Sequence, residues 1–187
     1  MNMLHAQESN GDCLKLYCQI KRRVEPYDVS IMDEYKKLLR VTDDQSEVHY
    51  HWARLHDSMV TSQMAKESFD LQEAVRHYCL CLQTSDRFLY HSIIRLTTLW
   101  FKAMQSLSED LLAVVPEIES IKPYQWYIVF QQLLTVACHP NDKLKVQVAR
   151  IVSGVFQKYP KQVVWQILAM LNVKSGPKRE FMMSVRE

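Results

Sequence analysis

Glycine is almost missing from this chain: 3 of 187 residues are Gly, at positions 11, 154 and 176. Average usage of roughly 7% would supply about 13. Tight β-turns, hairpins and phosphate-cradling loops all use positive φ, which glycine provides at least steric cost. Their scarcity points to helices. A surplus of one charge is also absent, with 23 basic and 21 acidic residues and a net charge of +2. Nucleic acid calls for a clustered basic face. Lys21-Arg22-Arg23, like Lys174, Lys178 and Arg179, forms too short a cluster and reads as a solvated end. No direct nucleic-acid partner is expected. The five cysteines (Cys13, Cys18, Cys79, Cys81 and Cys138) are odd in number and lack C-x-x-C spacing, which predicts free thiols in a reducing compartment. The opening residues show no basic segment followed by an apolar one, and no apolar run approaches the roughly 18 residues that span a bilayer. An intracellular protein with no membrane partner is expected.

What is present is helical periodicity. Hydrophobic residues make up 48% of the chain and charged ones 24%, a balance that supports a folded core rather than disorder. Leu14, Tyr17, Ile20 and Val24 recur at steps of 3, 3 and 4, one face of a helix that Pro26 stops. Ile31, Tyr35, Leu38 and Leu39 form the next stripe, with Asp28 or Ser30 as its cap. Val48, Trp52, Leu55 and Met59 follow at 4-3-4 spacing, with Ser46 as the expected N-cap. Asp70 with Glu73 resembles a capping box opening a helix whose inner face is Ala74, Val75, Tyr78 and Leu82. A longer helix is expected over 86–105, and a short one capped at Ser108-Glu109-Asp110 and broken or kinked by Pro116. Pro123 starts a helix expected over 124–138, Asn141 or Asp142 caps one reaching Lys158, and Pro160 opens the last over 161–172. About nine helices joined by short connections predict an all-α, irregular α-solenoid of antiparallel pairs, TPR/HEAT-like but with no exact repeat period. The domain expected is 14–174, between a disordered N-terminus over 1–13 and a flexible tail over 175–187. Trp165 is expected to be buried.

The chemistry-bearing residues form no recognisable site, so no catalytic, cofactor-binding or metal-ligating residue is assigned. His49 and His51 lie two apart, and His51 and His56 five apart, whereas a helical metal pair needs three or four. They are expected to be surface histidines beside Trp52. Cys79 and Cys81 diverge on a helix, and Cys138 next to His139 is expected to pack while His139 begins a turn. No P-loop, dinucleotide or nucleophile-elbow pattern occurs, and three isolated glycines cannot build one. No cofactor is expected.

Several segments in order resemble a known family. Pro123-Tyr124-Gln125-Trp126, Phe130-Gln131-Gln132-Leu133-Leu134, Cys138-His139 and Tyr159-Pro160-Lys161-Gln162 with Trp165 look like the closing helices of a FAT domain. FAT domains are the helical-repeat region preceding the catalytic domain of phosphatidylinositol 3-kinase-related protein kinases. The stretches Val48 to Asp57 and Phe88 to Trp100 resemble upstream helices of the same family, in particular its ATR/Mec-type branch of DNA-damage checkpoint kinases. The resemblance covers roughly residues 14 to 178. It implies a helical scaffold that supports and regulates a serine/threonine kinase domain in the nucleus. The implied partners are that kinase domain, neighbouring helical repeats and a regulatory protein subunit. Neither D-R-H-x-x-N nor D-F-D is present, so the chain is expected to be inactive alone and to be a fragment. The alternative from another class is a free-standing helical-repeat adaptor binding a peptide or partner helix.

Overall fold

The computed structural model describes residues 2–62, 67–105, 115–172 and 176–185. Among them are eleven α-helices and one 3-10 turn, and no strand. The all-α class is the one the glycine shortage and the stripes predict. No helix among the described residues is long and apolar enough to cross a membrane. The chain divides into two compact units, Met1–Ser92 and Ile93–Glu187.

The first unit is built from α1 (Asn2–Val24), α2 (Ile31–Val41), α3 (Gln45–Thr61) and α4 (Glu67–Thr84), with the start of α5 (Leu89–Gln105). The pairs α1 with α2 and α3 with α4 run antiparallel. Gly11 lies against Val41 while Lys21 Nζ reaches Ser30 Oγ at 2.6 Å, so numbers rise along α1 as they fall along α2. Likewise His49 meets His77 and His56 meets Asp70 across α3 and α4. The expected stripe Val48, Trp52, Leu55 and Met59 is buried, packed with Ile31, Tyr35 and Leu38. Ala74, Val75, Tyr78 and Leu82 are buried as well. Fully burying one such large side chain stabilises by about 1.5–3 kcal/mol, which is why the stripes dictate the pairing.

Several boundaries differ from the sequence expectation. α1 begins at Asn2, so the residues set apart as a disordered N-terminus continue the first helix. Ser46 is inside α3, not its cap; Asp44 holds the cap position, and Ser46 Oγ donates to its carboxylate. Of the two caps expected for α2, Ser30 holds the N-cap position without a side-chain cap bond, and Asp28 organises the turn before it, accepting from both the Ser30 amide and hydroxyl. Asp70 lies within α4, one turn past its start, so the expected capping box does not form and its carboxylate serves His56 instead.

The second unit contains the rest of α5, then α6 (Val115–Glu119), α7 (Pro123–Ile128), α8 (Phe130–Leu134), a 3-10 turn over Thr135–Cys138, α9 (Asp142–Lys158), α10 (Pro160–Leu171) and α11 (Pro177–Ser184). The cap at 108–110 lies outside the described residues, and Pro116 sits in the first turn of α6. Pro123 and Pro160 occupy the first helical positions as expected, since a helix start needs no donor there. The single helix expected over 124–138 is three short pieces. Val129 adopts φ −105°, ψ 18°, its amide bonds Trp126 O at 3.2 Å, and the run ends in 3-10 geometry. Trp126, Phe130, Leu133 and Val136 are buried by this path, whereas Cys138 is exposed rather than packed. Asn141 caps α9, accepting from the Leu144 amide at 3.1 Å, as its sequence position predicts.

Trp165 is the clearest departure, 76% exposed on α10. The buried stripe of that helix is Val163, Ile167 and Met170. Two residues of helix turn a side chain by about 200°, so Trp165 stands on the face opposite Val163. The tail differs too: Gly176, at φ 115°, stands at the N-cap of α11, which buries Phe181 and Met182. Positive φ is the reason glycine stands there.

Candidate functional site

The first unit holds the densest polar cluster among the described residues. Burying imidazoles and carboxylates is unfavourable unless each is bonded, and here the α3–α4 pairing does that. Trp52 Nε1 donates to His56 Nε2 at 3.2 Å, and His56 Nδ1 lies 2.7 Å from Asp70 Oδ1. The indole N–H therefore assigns the His56 proton to Nδ1, which donates to the carboxylate. His77 stacks on Trp52 with ring centroids 4.2 Å apart, meets His49 Nδ1 at 3.0 Å, and has Glu73 3.6 Å from its Nε2. Tyr78 donates to Asp57 at 3.0 Å. Burial, then the neighbouring His77, lowers His49 to about 4. Burial lowers His77 too, with Glu73 opposing.

His49 and His56 are thus interior residues, not the surface histidines expected from sequence, because their partners lie on another helix, beyond the reach of local spacing. His56 and Asp70 resemble an acid–base pair, yet both His56 ring nitrogens are occupied, leaving none to take a proton from a substrate. No group of three or more His, Cys, Asp or Glu among the described residues could hold a metal ion.

Beside this core, α1, α2 and α3 enclose a half-open cleft of about 290 Å³. Its floor is apolar, made by Cys18, Tyr35, Leu38 and Val48. Its lining also carries Arg22, Arg23 and Arg54, together with Asp44 and Glu47. The acids are already engaged: Arg87 lies 2.6 Å from Asp44 and 2.9 Å from Glu47, and Lys15 lies 2.5 Å from Glu47. Arg22 donates to His51 Nδ1 at 2.7 Å. Burial, then the charge of Arg22, drives His51 down to about 4, so this acceptor is neutral near pH 7. Burial also pushes the Cys18 thiol up to about 11, which keeps it protonated and a poor nucleophile. The cleft thus sets guanidinium donors beside an apolar floor.

The sequence predicts a solvated helix end at Lys21-Arg22-Arg23. Lys21 does pair outward, 2.9 Å from Asp28, but Arg22 turns into the cleft. The available signal was the run Glu47, His51 and Arg54 on one face of α3, at spacings of four and three.

In the second unit, Cys138 and His139 do not form a nucleophile–base pair. Cys138 is exposed, and His139 Nδ1 accepts from the Asn141 amide at 3.1 Å within the turn. Cys138 and Trp165 border a shallow groove with Leu134, Ala169 and Met170.

Comparison with known proteins agrees with the helical-repeat character. Residues 111–185 match the family described as serine/threonine-protein kinase ATR-like, HEAT repeats. The serine/threonine-protein kinase ATR of Oryza sativa subsp. indica is 27% identical over 139 residues, covering 66% of this chain and 5% of the relative. That of Arabidopsis thaliana is 24% identical over 197 residues, covering 92% and 7%. The serine/threonine-protein kinase MEC1 of Candida albicans is 20% identical over 149 residues, covering 74% and 6%. The chain thus spans well under a tenth of the length of these relatives and is homologous to a helical segment of ATR-like kinases. The matched family is described by HEAT repeats, so the ATR-type relationship holds while the finer FAT assignment rests on the motif resemblance.

Proposed function

We propose that this chain, a homologue of helical-repeat segments in ATR-like kinases, acts as a non-catalytic scaffold of FAT type that supports and regulates a serine/threonine kinase domain. Stacked helix pairs contact mainly their neighbours, so strain imposed on one pair passes to the next. The observation that carries the reading is the homology of an all-helical chain to a small part of much longer kinases. The hydrogen bonds that His56 makes to Trp52 and Asp70 tie α3 to α4, which suits a structural part. The proposed setting is DNA-damage checkpoint signalling in the nucleus, following the family resemblance. Its proposed partners are the kinase domain, adjoining repeats and a regulatory subunit.

Two measurements test this. The purified chain, given ATP, Mn²⁺ and a Ser/Thr-Gln peptide, is expected to transfer no phosphate; sustained turnover would overturn the non-catalytic assignment. In size-exclusion chromatography the scaffold reading expects self-association through uncovered apolar faces such as that of Trp165 and Leu168. A monodisperse monomer that captures peptides would favour the free-standing adaptor.

A further inference from the structure

The cleft of the first unit contains more positive charge than its own acids neutralise. Asp44 and Glu47 are held by Arg87 and Lys15. Arg22, Arg23 and Arg54 line the same cleft and have no carboxylate partner among the described residues. Arg22 is the most telling, because a guanidinium has five N–H donors, and here the His51 ring takes one while the Tyr35 hydroxyl is a second partner. Arg54 approaches from α3, close enough that its charge, with that of Arg22, depresses His51. Arg22 thus bonds this neutral imidazole and Arg54 lies near it, while the Glu47 carboxylate sits 3.7 Å from its Nε2.

We propose that this cleft binds a phosphorylated side chain, a phosphate monoester presented by a polypeptide. A phosphate monoester carries about −1.5 to −2 charge near pH 7 and three strong acceptor oxygens, which suits several guanidiniums better than one carboxylate does. The apolar floor of Cys18, Tyr35 and Leu38 accommodates the carbon portion of that side chain, and about 290 Å³ admits one residue rather than a folded element. The geometry does not depend on the scaffold role proposed above.

The experiment titrates the intact 187-residue chain at near-physiological salt with phenyl phosphate, with inorganic phosphate, and with a phosphotyrosine peptide and its unphosphorylated form. Phenyl phosphate and the phosphopeptide are expected to bind saturably, to shift the His51 ring resonances, and to leave those of His49 in place. The double variant Arg22→Gln/Arg54→Gln is expected to bind about tenfold more weakly or worse. Retained circular dichroism and unshifted His49 resonances show that the variant is folded. Should it not fold, Arg23→Gln/Arg54→Gln, both exposed positions, is expected to weaken binding about threefold. No saturable binding, unchanged affinity in a folded variant, or equal binding of the unphosphorylated peptide would overturn the proposal. Inorganic phosphate binding as tightly as phenyl phosphate would overturn the side-chain part of it.

Discussion

The two units are stabilised by different chemistry. Of the ten buried polar or charged residues described, Ser46, Glu47, His49, His56, Asp57, Asp70, His77 and Ser92 fall in the first unit, and Thr97 and Gln125 in the second. The core of the second unit is aliphatic and aromatic, with Trp126, Phe130, Leu133, Leu144, Val148 and Val152 among its most buried members. Apolar contacts are non-directional and tolerate shifts in register, whereas His56 and Asp70 bond only when α3 and α4 meet at one offset. The first unit therefore spends part of its interior on specificity of pairing and is exposed to changes in protonation. The second depends on packed volume.

The largest expected effect tests the packed side of that contrast. Trp126→Ala removes a side chain that is 2% exposed and should cost about 3–5 kcal/mol in urea unfolding. A loss under about 1 kcal/mol would mean the second core collapses around the gap and packing is not what holds it. Next comes the polar side. Asp70→Ala strands the His56 Nδ1 donor in the interior and should cost about 1–3 kcal/mol. Native-state hydrogen exchange should locate that loss in residues of α3 and α4; a loss spread equally over α9 and α10 would break the contrast.

Acid sharpens it further. His49 and His51 have folded pKa values near 4, below the ordinary 6.5, and His77 is lowered too. A depressed imidazole binds protons more readily when unfolded. Its stabilisation is complete above about pH 6.5 and is lost as pH falls through the folded value near 4. Each contributes at most about 1.4 kcal/mol per pH unit in that window, less where water reaches the ring. Exchange protection should therefore fall in α3 and α4 before α9 and α10 between pH 6.5 and 4. Parallel loss in both units would contradict the assignment. Smallest is Trp165→Ala, expected to change stability by less than about 1 kcal/mol because the side chain is 76% exposed.

How legible these features were follows from what each depends on. The stripe Val48, Trp52, Leu55 and Met59 depends only on helical period, so spacing alone placed it in the core. The role of Asp70 depends on His56, 14 residues away on another helix, and a capping motif was the local pattern that competed with it. α10 carries Val163, Val164, Trp165, Ile167, Leu168 and Met170, apolar around most of its circumference, so its sequence does not choose which face turns inward. Cys138 would face inward only on an unbroken helix; the 3-10 geometry of Thr135–Cys138 buries Val136 and Ala137 instead. For the cleft, the basic run was visible but its fate was not, since Lys21 and Arg22 are adjacent and point to different partners.

The stacking of Trp52 on His77 has an optical consequence. An imidazolium in contact with an indole ring quenches its fluorescence far more than a neutral imidazole does. With ring centroids 4.2 Å apart, protonation of His77 should dim Trp52 specifically. Trp165 stands in water and should emit at longer wavelength, open to acrylamide, while Trp126 is shielded from it. The native chain therefore carries intrinsic spectroscopic reporters in both halves, one sensing the protonation of the α3–α4 core and the other sensing whatever comes to cover α10.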